Sequence, residues 1–447
     1  MTVRTREAGQ LKRALGLPSL VLFGMVYIVP LTVFTTYGIV TEMTGGRLPV
    51  AYSVTLVAMF FTALSYARMA EAFPVAGSAY TYTQKTFGAP LGFLTGWSLL
   101  LDYLFLPMLN YLVIGIYLEA AFPSVPAWVF IVTAIAVVTV LNVVGIVSVA
   151  RANFLIIAMQ TIFIVTFLAM AFAAISGRGD VSLTAPLRGD GSAPGMGAIV
   201  AGAAVLCLSF LGFDAVSTLS EEAKDPTRSV PRAIIFATVA SGTLFVVLSY
   251  VAHLVFPSTK FADVDSGSLD VMRAAGGRFL DTFFTAAYVA GALGSALTSQ
   301  ASVARILFAM GRDRILPRPF FGHVSPRFST PVYAIVLVSL VSLLAVVIDL
   351  ATLASIVSFG ALVAFSAVNL SVAKHYFIDL GERSGRSVAR NLILPLIGFV
   401  LTVWLWTSLS GLTLKVGIVW LAAGFGWLLV VTRGFRRPTP VMDIDGE

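Results

Sequence analysis

The feature that most constrains this chain is a series of apolar runs, each about as long as a bilayer is thick. A transmembrane helix needs ~20 largely apolar residues. Twelve such spans are placed, at 17–40, 49–70, 90–119, 126–146, 153–175, 197–219, 232–256, 280–309, 331–349, 352–376, 391–411 and 414–432. The eighth takes in "AAYVAGALGSALTSQASVARILFAMG", where small residues permit close helix contacts and hydroxyls at depth. Of the 447 residues 58% are hydrophobic and 11% charged, whereas a soluble chain carries about 25% charged residues. The fold class is therefore all-α integral membrane. No soluble domain, tandem repeat or coiled coil interrupts it, so 1–447 reads as one domain.

The net charge of +7 would suggest nucleic acid in a soluble chain. Its distribution says otherwise. With the N-terminus placed in the cytoplasm, 22 of the 29 lysines and arginines fall on one side of the membrane. The other side holds Arg47, Arg178, Arg188, Lys260, Arg273, Arg278 and Lys415. By the positive-inside rule this supports twelve spans with both termini cytoplasmic, in a cell (inner) membrane. The charge reports topology, and the partner it implies is the lipid bilayer. Cys207 is the only cysteine, which excludes an intramolecular disulfide. The first sixteen residues are mostly polar and the next apolar run exceeds a signal peptide's core, so that run is expected to stay as span one. Outward loops are expected at 176–196, irregular, and at 257–279, with a short helix near Leu269 to Ala275.

Two spans carry interruptions. Span one contains "MVYIVPLTVFTTYGIV", with Pro30 at mid-run beside Thr32, Thr35 and Thr36. A proline there removes a ladder hydrogen bond, and the freed groups need partners in a medium without water. Span six reads "VLCLSFLGFDAVSTLSEE", with Gly212 between Phe210 and Phe213 followed by Asp214. Spans one and six correspond if the first ten helices form two five-helix halves, 17–175 and 197–376, followed by two more helices at 391–432. Five is odd, so the second half would be inverted. Paired breaks at matching positions point to a transporter's binding site.

Ionisable residues at membrane depth are functional candidates. Asp102 lies about 12 residues into span three, hence ~18 Å deep at ~1.5 Å per residue, close to the middle of a ~30 Å core. Asp214 adjoins the second break, and no lysine, arginine or histidine lies comparably deep. Acidic charge alone at depth favours a cationic substrate, which aromatic faces also attract. Tyr27, Phe34 and Tyr37 on span one, Tyr103 on span three, Phe210 and Phe213 on span six and Tyr288 on span eight are available. The phenylalanines can equally be packing, Asp102 a helix–helix hydrogen-bonding group, and Asp214 a structural or gating acid. Glu221, Glu222 and Arg232 read as a cytoplasmic gate or loop network.

Three stretches carry a family resemblance: "FPVAGSAYTYTQKTFG" (73–88), "SFLGFDAVSTLSEEAKDPTRSVPRAI" (209–234) and "MGRDRILPRPFFGHVSPRFSTP" (310–331). Through them the chain resembles the amino acid–polyamine–organocation transporter superfamily. "GWSLLLDYLFLPMLN" (96–110) and "FGALVAFSAVNLSV" (359–372) look most like its bacterial putrescine importers. The resemblance implies a five-plus-five inverted repeat with discontinuous helices one and six, two extra helices, and alternating access powered by protons or exchange. It makes Tyr103, adjacent to Asp102, the first aromatic candidate. The site expected from the breaks and the residues at depth is Tyr27, Thr32, Phe34, Thr35, Asp102, Tyr103, Phe210, Gly212, Phe213, Asp214 and Tyr288, with Asp102, Asp214, Glu221 and Glu222 coupling or gating.

This chain departs from the family pattern twice. Thr35 stands where the importers resemble V-F-D-T-F-G, with an acid. Gln160 stands where some proton-coupled relatives carry a lysine, which leaves any proton step to Asp102 or Asp214. The expected function is import of putrescine or a similar small amine, with the proton as coupling ion. The alternative is an amino-acid permease or exchanger of the same fold. No catalytic constellation, nucleotide loop, metal motif or selectivity-filter loop is visible, so no enzyme activity, cofactor or metal is expected.

Overall fold

The computed structural model describes residues 15–75, 78–145, 149–179, 181–189 and 195–440. In chain order the first helices are α1 (Leu17–Tyr27), α2 (Tyr37–Met43), α3 (Leu48–Ala72), α4 (Ser78–Phe87) and α5 (Ala89–Ala121). There follow α6 (Ala127–Val144), α7 (Val149–Ser176), the short α8 (Ala185–Arg188) and α9 (Met196–Leu206). The chain continues through α10 (Pro226–Val255), α11 (Ser268–Arg312), the short α12 (Arg318–Phe321) and α13 (Val332–Ser342). It ends with α14 (Leu350–Val372), the short α15 (Gly385–Val388), α16 (Leu394–Thr407) and α17 (Gly411–Val431). Among the described residues there is no strand, only an isolated bridge between Leu15 and Ala223.

Helix is the expected outcome, because every backbone polar group in a bilayer must be satisfied within its own segment. Among the described residues eleven helical stretches are long and apolar enough to cross. The ninth expected span is the short one: α13 gives way to a 3-10 turn at Leu343–Val346, so the apolar helix covers only Val332–Val346. The expected short outward helix is present. It forms the start of α11, which kinks at Gly276 and Gly277 before entering the membrane.

Both expected interruptions are real. After α1, Val29 adopts φ 51°, a β-branched residue in the left-handed region, at a cost of order 1–3 kcal/mol. A 3-10 turn, Pro30–Phe34, leads into α2. After α9 comes a 3-10 turn at Cys207–Phe210, then extended Leu211, then Gly212 at φ 117°, then a 3-10 helix from Asp214 to Glu222. A Cβ on Gly212 would lie 2.3 Å from Tyr27 Cδ1, so the two breaks touch here and only glycine fits. On the basic side of the membrane the same two elements are tied again. Leu15 N–H donates to the Glu222 carbonyl and Lys224 N–H to the Leu15 carbonyl, both at 3.0 Å.

Candidate functional site: two acids in a ring of tyrosines

Asp102 lies 13 residues into α5 and is 6% exposed, and its Oδ1 has no hydrogen-bond partner. α14 presses against it: Ser98 Oγ donates to the Gly360 carbonyl at 2.8 Å, and a Cβ on Gly360 would meet Asp102 N at 3.1 Å. Asp214 opens the 3-10 helix after the second break and is 7% exposed. Its Oδ1 accepts Gly212 N–H and its Oδ2 accepts Ser78 Oγ–H, both at 3.3 Å. Ser78 reaches it from the first turn of α4, at φ 50°. The loop after helix two thereby meets the break in helix six.

The two carboxyl groups lie within electrostatic reach of each other. Tyr27 and Tyr103 lie within electrostatic reach of both acids, and Tyr66 and Tyr82 within reach of Asp214. No ion pair reaches either acid among the described residues. Tyr27, at the end of α1, keeps 41% of its surface accessible. A buried acid with an unsatisfied oxygen costs free energy unless something completes it. Phenol faces beside it suit an ammonium group. The C-terminal carbonyl ends of α1 and α9 also stop at the breaks, adding negative partial charge.

Of the expected site residues, Tyr27, Asp102, Tyr103, Gly212 and Asp214 come together, with Phe213 behind Tyr66 at a ring separation of 5.4 Å. The others sit elsewhere. Thr32 is turned onto its own backbone, its Oγ1 donating to the Val29 carbonyl at 2.8 Å. Phe210 is fully buried against Phe245. Phe34 packs edge-on against Phe163, Phe167 and Phe284, on the side opposite the basic one. Thr35 hydrogen-bonds Tyr288, whose ring adjoins Tyr117 in that same aromatic group. Glu221 and Glu222 end the 3-10 helix, and Arg232 lines a separate cleft on the basic side. Gln160 is buried, its amide against Gly291 of α11.

Sequence reasoning missed Tyr66, Tyr82 and Ser78. The last two lie in the quoted 73–88 stretch, whose packing of hydroxyl-bearing residues after an apolar helix was the available signal. Most carbonyls freed by the first break are already taken by side chains. Tyr117 OH donates to the Phe34 carbonyl at 3.1 Å, Ser209 Oγ to the Thr32 carbonyl at 3.4 Å and Tyr52 OH to the Val33 carbonyl at 3.5 Å. Among the described residues no cluster of His, Cys, Asp and Glu could hold a metal ion.

Interrupted membrane helices that meet over a pair of buried, cation-free acids define a small-molecule carrier. The family model for amino acid permeases matches residues 19–447, and the chain belongs to that family. It is 39% identical over 437 residues to the low-affinity putrescine importer PlaP of Escherichia coli (strain K12), covering 96% of both chains. It is 30% identical over 386 residues to the branched-chain amino acid permease BcaP of Bacillus subtilis (strain 168), covering 81% of this chain and 80% of that one. The methylthioribose transporter of the same organism is 28% identical over 446 residues, covering 94% and 93%. This chain is thus an integral membrane transporter whose relatives are permeases.

Proposed function

We propose that this transporter imports putrescine or a similar small cationic amine by alternating access, with a proton as the coupling ion. The observation that carries the reading is Asp102, buried, with an oxygen lacking a donor and with Asp214 as its acidic neighbour. A substrate ammonium would supply the missing donor, held against the faces of Tyr27 and Tyr103, while the second ammonium turns to Asp214 and the Tyr66 and Tyr82 side. Asp102 and Asp214 are the buried acids of the described membrane core, so a coupling proton would ride on one of them. The twelve-helix, five-plus-five inverted arrangement with cytoplasmic termini belongs to this proposal. The likeness to a putrescine importer supports it.

The second reading, an amino-acid permease, draws on the helix ends at the breaks. Amide groups at the start of α2 and of the Asp214 helix would take a carboxylate, and carbonyl ends an amine. Asp102 separates the two. In proteoliposomes, Asp102→Asn should reduce putrescine uptake about hundredfold or more, because removing one partner of a buried charge pair costs ~3–5 kcal/mol. Uptake of neutral amino acids by the parent, undiminished in the variant, would overturn the amine reading.

A further inference from the structure

Away from the central acids, a cleft of about 290 Å³ opens between the end of α3 and the starts of α10 and α16, on the basic side of the membrane. Arg68, Arg228, Arg232 and Arg390 line it, against a single carboxylate, Glu71. The site is built rather than a loose set of surface charges. Arg68 is 11% exposed at its side chain, with Nη1 2.6 Å from Glu71 and Nε 3.1 Å from Asn391 Oδ1. Its guanidinium also lies 3.9 Å from the centre of the Tyr376 ring. Arg390 reaches the same Glu71 at 3.4 Å. Arg228 and Arg232, both exposed, make no ion pair among the described residues, so the cleft keeps an excess of positive charge.

The apolar lining is ordered along the membrane normal. Leu64 lies one turn deeper than Arg68 on α3, Ile235 one turn deeper than Arg232 on α10, and Leu394, at the start of α16, about one turn beyond Arg390 in the helical segment that leads into it. Cations sit at the mouth and hydrocarbon below it. That is the profile of a phosphodiester headgroup with an acyl chain attached. A free anion would have no use for the deeper apolar half.

We infer that this cleft binds the headgroup of an acidic phospholipid from the adjoining leaflet, clamping α3, α10 and α16 together. Basic pockets between transmembrane helices take such headgroups, and each Lys or Arg near the surface contributes about fivefold in affinity. The test uses the purified full chain in detergent, titrated with phosphatidylglycerol, phosphatidylethanolamine or inorganic phosphate and read by native mass spectrometry. The parent should retain phosphatidylglycerol over phosphatidylethanolamine. Arg228→Gln with Arg232→Gln should bind it about 25-fold more weakly, and the paired lysine variants should recover most of the loss. Equal retention of both lipids, or an unaffected double glutamine variant, overturns the inference. So does displacement of phosphatidylglycerol by inorganic phosphate at equal concentration, which would make the cleft a free-phosphate site.

Discussion

The aromatic group around Phe34 packs at the end of the 3-10 turn that follows the first break, and truncating it tests whether it closes the side of the membrane opposite the basic one. Phe34 is 1% exposed, and its ring meets Phe163, Phe167 and Phe284 near-perpendicularly at 6.5, 5.4 and 5.5 Å. Each such pair contributes ~0.5–1.5 kcal/mol beyond area burial, while Phe34→Ala as a whole should cost ~3–5 kcal/mol of stability. These rings come from three separate elements, so an arrangement open on that side must part them. Counting three pairs at the low end, the closed arrangement loses about 1.5 kcal/mol relative to the open one. That is about a tenfold shift in population. The only cysteine, Cys207, is buried, so Cys207→Ala provides a background for a Thr35→Cys reporter at the aromatic layer, beside Tyr288. A membrane-impermeant maleimide applied from the side opposite the basic one should label the reporter about tenfold faster when Phe34→Ala is added. Inverted vesicles supply the other face. A labelling rate within twofold of the parent, with the stability loss present, would show that the rings are packing alone and that the closure lies elsewhere.

Two further outcomes follow from the geometry. Gly212→Ala places a side chain at φ 117° and 2.3 Å from Tyr27, so backbone strain of ~1–3 kcal/mol should cut uptake about fivefold or more for every substrate while the protein still elutes as a folded species. Asp265, in the loop before α11, has its carboxyl held above the usual range by burial and then by Asp263 and Asp349. The folded state therefore binds that proton more tightly than the unfolded state, and stability falls as pH rises from the ordinary aspartate value of ~3.9 through the raised one. Asp265→Asn should raise the melting temperature at neutral pH, with the difference vanishing in acid.

The parts of the structure legible in the sequence were those with local causes. Pro30 cannot continue a helix ladder and Gly212 alone tolerates its backbone, so both breaks could be placed before any coordinates. Asp102 and Asp214 stood out because charge in hydrocarbon is costly wherever it lies. The remainder depended on tertiary placement. Tyr66 sits among other buried residues on α3 and has no local mark separating it from packing. What brings it to Asp214 is the close apposition of α3 with α4 and the post-break helix. The short ninth helix escaped for a related reason: its run is apolar to residue 348, yet the backbone tightens to 3-10 after Ser342.

Thr35 shows how placement changes the meaning of a residue. The putrescine-importer pattern that span one resembles is expected to hold an acid here, and its replacement by threonine to weaken the grip on one end of a diamine. Here Thr35 hydrogen-bonds Tyr288, and Tyr288 adjoins Tyr117 and Phe284 in the aromatic group that contains Phe34. Tyr117 in turn ties the Phe34 carbonyl to Ser268 at the head of α11. A carboxylate at position 35 would have no cation among these rings, so in this arrangement it would have to recruit one or disrupt the packing. A threonine lets the layer close without a charge inside it. On the proposed reading the acidic function falls to Asp102 and Asp214, one of them on an unbroken helix and the other at a break whose backbone must rearrange if α1 and the Asp214 helix move together. That asymmetry fits a carrier in which the fixed acid holds the substrate and the hinged acid reports that it has arrived.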